Sequence, residues 1–164
     1  MTQESAPTSA EPKPETVLLS QQEGAVLTLT LNRPRQFNAM SMAMLDALHA
    51  GLDAVAADPT ARVVVIAGAG PNFCAGHDLK EMRAHQDDAD WQHRLFESCN
   101  RMMVRMTELP QPVIARIHGI ATAAGCQLVA MCDLAVAAEN ARFSFPEPRL
   151  GDFGGIMTGL VSRI

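Results

Sequence analysis

Two short segments carry the residues best suited to chemistry. Phe73-Cys-Ala-Gly-His-Asp-Leu-Lys80 follows the β-branched run Val63-Val-Val-Ile-Ala67, and Ile117-His-Gly-Ile-Ala-Thr-Ala-Ala-Gly-Cys-Gln-Leu128 follows Pro112-Val-Ile-Ala-Arg-Ile117. Each run is short enough for a buried strand, and each empties into small residues. Glycine and alanine let a backbone approach a ligand closely, and a helix that starts there leaves its first N–H groups unpaired and aimed outward. Two such N–H groups turned toward one developing negative charge are the layout of an oxyanion hole, which stabilises a polarised carbonyl oxygen.

A metal centre is a poor reading of the same region. Cys74 and His77 have ligand-like spacing, but no second ligand pair accompanies them. The four cysteines, Cys74, Cys99, Cys126 and Cys132, form no Cys-x-x-Cys pair and stand in stretches that read as packed interior or close turn. Reduced, structural thiols are the expectation.

The elements that must position these segments are legible in outline. Gly24-Ala-Val-Leu-Thr-Leu-Thr-Leu31 alternates as a strand should, and Asn32-Arg-Pro34 ends it. Ser41 caps a helix in which Leu45, Leu48, Leu52 and Val55 keep helical spacing until Asp58-Pro59. A second amphipathic stretch sets Trp91, Leu95, Cys99, Met102, Met106 and Leu109 along one face before Pro110, a methionine-rich stripe that reads as core. Residues 125–131 read as a buried helix, Leu134-Ala-Val-Ala-Ala138 as a strand, the stretch near Phe143 as a shorter one, and Gly154 to Ile164 as a further helix beginning. Strand, strand and helix recur irregularly, an α/β pattern without a clean sequence repeat.

At these residues the chain closely resembles the crotonase superfamily, the enoyl-CoA hydratases and isomerases. The landmarks are Leu31-Asn-Arg-Pro34 with Asn38-Ala39, Phe73 through Met82, His118-Gly119 through Met131-Cys-Asp133, and Phe143-Ser-Phe-Pro-Glu147. Four motifs in the family's order and spacing are far more specific than any one alone. The resemblance runs from about Val17 to the last residue. It implies a spiral of β-β-α units, with residues 1–16 as a disordered tail and residues 17–164 as the N-terminal portion of a core domain. Family members continue through further helices, so the resemblance also implies that the chain is a fragment or a truncated homologue.

The resemblance implies an acyl-CoA substrate whose thioester enolate is held between two backbone amides. By motif position these belong to His77 and Ala124, with Ala75, Gly76, Asp78, Leu79 and Gly125 lining the substrate. The His77 side chain is then incidental, and the Ala124 methyl, where the family commonly has glycine, narrows the site. Asp78 before Leu-Lys-Glu reads more naturally as a helix cap than as a substrate contact. Lys80 and Arg83 face either coenzyme A phosphates or solvent, with solvent preferred. Glu147 reads from local composition equally as a solvated loop glutamate ahead of Pro148-Arg149. By the resemblance it occupies the position of the carboxylate that moves a proton at the substrate α-carbon, where an apolar pocket would raise its pKa toward neutrality. Gln127 stands where hydratases usually carry a second glutamate. An amide hydrogen-bonds water but takes no proton at neutral pH, which weakens straightforward hydration and leaves intact chemistry that needs one carboxylate, such as double-bond isomerisation. Hydration and isomerisation of an enoyl-CoA both stay open. A polar residue at a buried helix start is the plainer reading of Gln127. A non-catalytic acyl-CoA binding module derived from such an enzyme is the alternative function.

Bulk properties bound the rest. The 164 residues, 48% hydrophobic and 19% charged, suit one ordinary domain with a core. A net charge of -5 leaves no footprint for nucleic acid or an anionic membrane. No apolar run approaches a membrane span. Residues 1–15 hold three prolines and no arginine, unlike a secretory signal or an Arg-rich presequence, and the expected compartment is the cytoplasm. No metal or separate cofactor is expected, coenzyme A being part of the substrate, and the family relation implies a homotrimer or hexamer at full length.

Overall fold

The computed structural model of the protein describes residues 16–145. It begins with a hairpin that the sequence reading did not separate, β1 (Leu18–Glu23) and β2 (Val26–Leu31), paired antiparallel. Thr16, assigned to the tail on composition, is tied down here: its carbonyl accepts from Asn32 Nδ2 at 2.8 Å. Leu27, Leu29 and Leu31 point into the core, as the alternation requires. Thereafter β3 (Val63–Gly68), β4 (Val113–Ile117) and β6 (Leu134–Ala137) add to β2 in parallel, giving the order β1-β2-β3-β4-β6. Parallel neighbours need crossover connections, and helices supply them. α1 (Met42–Ala57) joins β2 to β3, α2 (Leu79–Ala84) and α3 (Ala89–Thr107) join β3 to β4, and α4 (Ala124–Ala130) lies between β4 and β6.

Ser41 caps α1 as expected, its hydroxyl accepting from the Met44 N–H at 3.2 Å. Leu45, Leu48, Leu52 and Val55 are fully buried, and α3 turns Trp91, Leu95, Cys99, Met102 and Met106 into the same core. Truncating one of these leucines to alanine would cost about 2–5 kcal/mol.

A second, smaller layer of short parallel pairings positions the site. Met40 bridges His77, Cys74 bridges Ala121, and β5 (Ile120–Thr122) pairs with β7 (Arg142–Ser144). β2, β3 and β4 each lead into a short extended piece and then into a helix, the β-β-α unit of the expected spiral. β6 is exposed along its whole length, with Leu134 61% and Val136 63% accessible. Residues 1–15, Glu147 and the helix expected from Gly154 lie outside the described residues.

Candidate active site

The first turn is built around His77. The Met40 N–H donates to the Gly76 carbonyl at 2.8 Å, and the Asp78 N–H donates to the Met40 carbonyl at 3.0 Å. In a parallel bridge the residue between two such bonds directs its own N–H and C=O to the opposite side. The His77 N–H thus faces away from Met40, and it meets no acceptor among the described residues. One residue earlier in the same turn, the Ala75 N–H is held by the Phe37 carbonyl at 3.0 Å.

The second turn ends at Ala124, the first residue of α4. Ala123 carries φ 51° and ψ -127°, and its N–H donates to the Ser144 carbonyl at 3.0 Å. The Cys126 and Gln127 N–H groups both return to the Ala123 carbonyl, at 2.9 and 3.1 Å. The Ala124 and Gly125 amides precede these bonds and have no acceptor among the described residues.

Backbone pairing brings the two turns together. The Cys74 N–H donates to the Ile120 carbonyl and the Thr122 N–H to the Cys74 carbonyl, each at 3.0 Å. Gly76, at φ +89°, passes so close that a Cβ there would lie 2.8 Å from the Ala123 Cβ and 3.3 Å from the Ala124 nitrogen. A Cβ at Gly125 would collide with the Cys74 carbonyl oxygen. Only glycine permits either approach. The peptide that carries the His77 N–H and the one that carries the Ala124 N–H are consequently neighbours.

The side chains divide clearly. Asp78 is the N-cap of α2, with Oδ1 accepting from the Lys80 and Glu81 N–H groups at 3.1 and 3.2 Å. Its Oδ2 makes an ion pair with Arg33 at 2.9 Å. Burial pushes this carboxyl up, but the Arg33 hydrogen bond and charge and the two capping amides outweigh it and hold it below the usual 3.8. The His77 ring meets Phe96 edge-on at 5.1 Å, and its buried Nε2 has no hydrogen-bond partner among the described residues. Burial lowers its pKa from 6.5, favouring neutral imidazole. Ala75 is half-buried, whereas Leu79, Lys80 and Arg83 are exposed. Gln127 is buried, and no hydrogen bond of its side-chain amide is found among the described residues. Burial raises the Cys74 and Cys132 thiols to about 12 and Cys99 to about 11, so all three stay protonated and unreactive.

Sequence reasoning passed over Arg33 and Asn38 except as motif landmarks. Arg33 reaches Asp78 across 45 residues of chain, and no local spacing signals such a contact. A hollow of about 420 Å³ is lined by Arg33, Ser41, Asp78, Lys80 and Glu81. Another, about 710 Å³, runs between α1 and α3 past His49, His93 and Phe96 and contains none of the expected site residues. Among the described residues no group of three His, Cys, Asp or Glu side chains could hold a metal ion.

Comparison with known proteins identifies the family. Residues 21–164 match the model for enoyl-CoA hydratase/isomerase. The chain is 43% identical over 135 residues to enoyl-CoA hydratase domain-containing protein 3, mitochondrial, of Danio rerio, covering 82% of this chain and 46% of that protein. It is 40% identical over 138 residues to the 2,3-dehydroadipyl-CoA hydratase of Escherichia coli K12, covering 84% and 52%. The crystal structure of an enoyl-CoA hydratase from Mycobacterium smegmatis superposes with a TM-score of 0.86 at 51% identity, over 91% of this chain and 58% of that one. The chain thus spans about half the length of the curated relatives it matches.

These relatives correct one expectation. The vertebrate proteins that match, from Danio rerio to Homo sapiens, are named as mitochondrial, which overturns the cytoplasmic assignment. That assignment rested on the composition of residues 1–15, and compartment is an address that the packed core does not encode. Among the described residues no helix is long and apolar enough to cross a membrane. On its motifs, its β-β-α architecture and these matches, the chain belongs to the enoyl-CoA hydratase/isomerase family of the crotonase superfamily.

Proposed function

We propose that the protein acts on acyl-CoA thioesters, holding the enolate oxygen between the backbone N–H groups of His77 and Ala124 while Glu147 moves a proton at the α-carbon. The observation that carries this reading is the adjacency of two unpaired amides on turns locked together through Cys74 and Ala121. An amide pair fixed before the substrate arrives needs no reorganisation when charge develops on the thioester oxygen. For double-bond isomerisation, Glu147 takes a proton from C2 of a 3-enoyl-CoA and returns it at C4, so one carboxylate suffices. For hydration of a 2-enoyl-CoA, water adds its hydroxyl at C3 and the proton arrives at C2. Both reactions belong to fatty-acid metabolism, and a trimer or hexamer is the proposed assembly.

A second reading is favoured by one observation. Gln127, where hydratases carry a carboxylate, is an amide that accepts no proton, in keeping with a module that binds acyl-CoA without turnover.

Solvent exchange at the α-carbon separates the two. Incubated with butyryl-CoA in heavy water, the protein should introduce deuterium at C2. Glu147→Gln should bind with unchanged affinity and exchange nothing, since only the proton carrier is gone. Exchange that survives in this variant removes Glu147 from the mechanism, and tight binding with no exchange by the unaltered protein decides for the binding module.

A further inference from the structure

Arg33 stands at the junction of the two segments that form the Met40–His77 bridge. Its Nη1 donates to the Ala39 carbonyl at 2.7 Å and its Nη2 to Asp78 Oδ2 at 2.9 Å. Ala39 immediately precedes Met40, and Asp78 immediately follows His77. One planar guanidinium therefore spans the bridge from strand to strand, with two donors in a fixed fork.

The base of the fork is fixed as well. The Arg33 N–H donates to Asn38 Oδ1 at 2.9 Å. Asn38, fully buried and at φ 55°, gives its amide hydrogens to the Ala69 carbonyl at 2.9 Å and the Asn72 carbonyl at 2.8 Å. Asn72 Oδ1 in turn accepts from the Ile120 N–H at 3.1 Å, at the start of the second turn. The network thus runs from the loop after β2 through both turns.

The ion pair is only partly exposed, with side chains 19% and 12% accessible. Desolvation offsets much of the attraction in such a pair, so stability alone does not explain it. Its geometry does something more specific. The direction of the His77 N–H is set by the two bonds to Met40, and the guanidinium clamps the residues flanking both partners of that bridge.

We propose that Arg33 is a positioning residue for the His77 amide, setting its direction through Ala39 and Asp78 without touching substrate. Its catalytic meaning rests on the oxyanion function proposed above, but the clamp itself is testable without ligand. Amide hydrogen exchange of Met40 and Asp78 should quicken about tenfold in Arg33→Met relative to the amides of Leu29 and Leu31, the loss expected for one charged hydrogen bond. Arg33→Lys should recover part of the protection, having the charge but not the fork. Unchanged protection of Met40 and Asp78 in Arg33→Met overturns the proposal.

The second arm uses cinnamoyl-CoA, whose absorbance moves to longer wavelength as its carbonyl is polarised. Arg33→Met should lose most of that shift while its affinity changes less than roughly threefold. Val55→Ala, a core truncation remote from the turns, should keep the full shift despite a lower melting temperature. A full shift in Arg33→Met overturns the positioning role. If the unaltered protein polarises nothing, the oxyanion function fails, and the exchange arm alone upholds or overturns the clamp.

Discussion

The His77 ring packs edge-on against Phe96 with its buried Nε2 unpartnered among the described residues, and this has a pH signature. Burial lowers its pKa in the folded state below the 6.5 of an unfolded histidine. Below pH 6.5 the unfolded chain binds the proton more readily, so folding stability should fall as pH drops through the window between 6.5 and the lowered value. His77→Phe keeps the apolar contact and the backbone N–H, and it should flatten that part of a melting-temperature profile between pH 5 and pH 8. An unchanged slope would assign the acid sensitivity to other groups. Gln127 carries the second prediction at this scale. If a missing second carboxylate limits hydration, the protein should isomerise 3-enoyl-CoA faster than it hydrates 2-enoyl-CoA. Gln127→Glu should then raise hydration by roughly 10²–10⁴, the usual contribution of a general base. Rapid hydration by the unaltered protein, with no gain from the substitution, would show that one carboxylate is enough.

At the scale of elements, the entry to α4 holds a strained residue. Ala123 sits at φ 51° and ψ -127°, where an L side chain costs about 1–3 kcal/mol. Ala123→Gly should relieve that strain, less the added backbone entropy of glycine, for a net gain of about 1 kcal/mol and a rise of about 2–4 °C in melting temperature. A lower melting temperature would mean that the Ala123 methyl packs more usefully than its backbone strains. The helices and long strands were legible because their signals are local. Ser41, the leucines of α1 and the methionine stripe of α3 lie where cap and periodicity put them. β5 was not legible, because three residues that pair with β7 and, at Ala121, with Cys74 carry no periodicity of their own. β1 went unread for a different reason: its residues, two leucines included, are almost all exposed, so burial wrote no alternation into them. The helix cap at Asp78 was legible as well, whereas its ion pair with Arg33 exists only once the loop after β2 folds across the first turn.

Across the whole molecule, the sheet and the short second layer share one task. They bring two turns that are some fifty residues apart in sequence to adjacent peptides, with Cys74, Gly76 and Gly125 in backbone contact across the gap. Family motifs made that convergence foreseeable. Its atomic basis, glycine where any Cβ would collide, came from the folded chain. The central claim is that the His77 and Ala124 amides serve one carbonyl oxygen, and the most direct test observes those two amides themselves. In protein labelled with ¹⁵N, both amide resonances should move together when butyryl-CoA binds and follow a single saturation curve, while the Gly24 amide in the distant hairpin turn stays in place. Binding that leaves both resonances unmoved, or shifts only one of them, would contradict the shared oxyanion site.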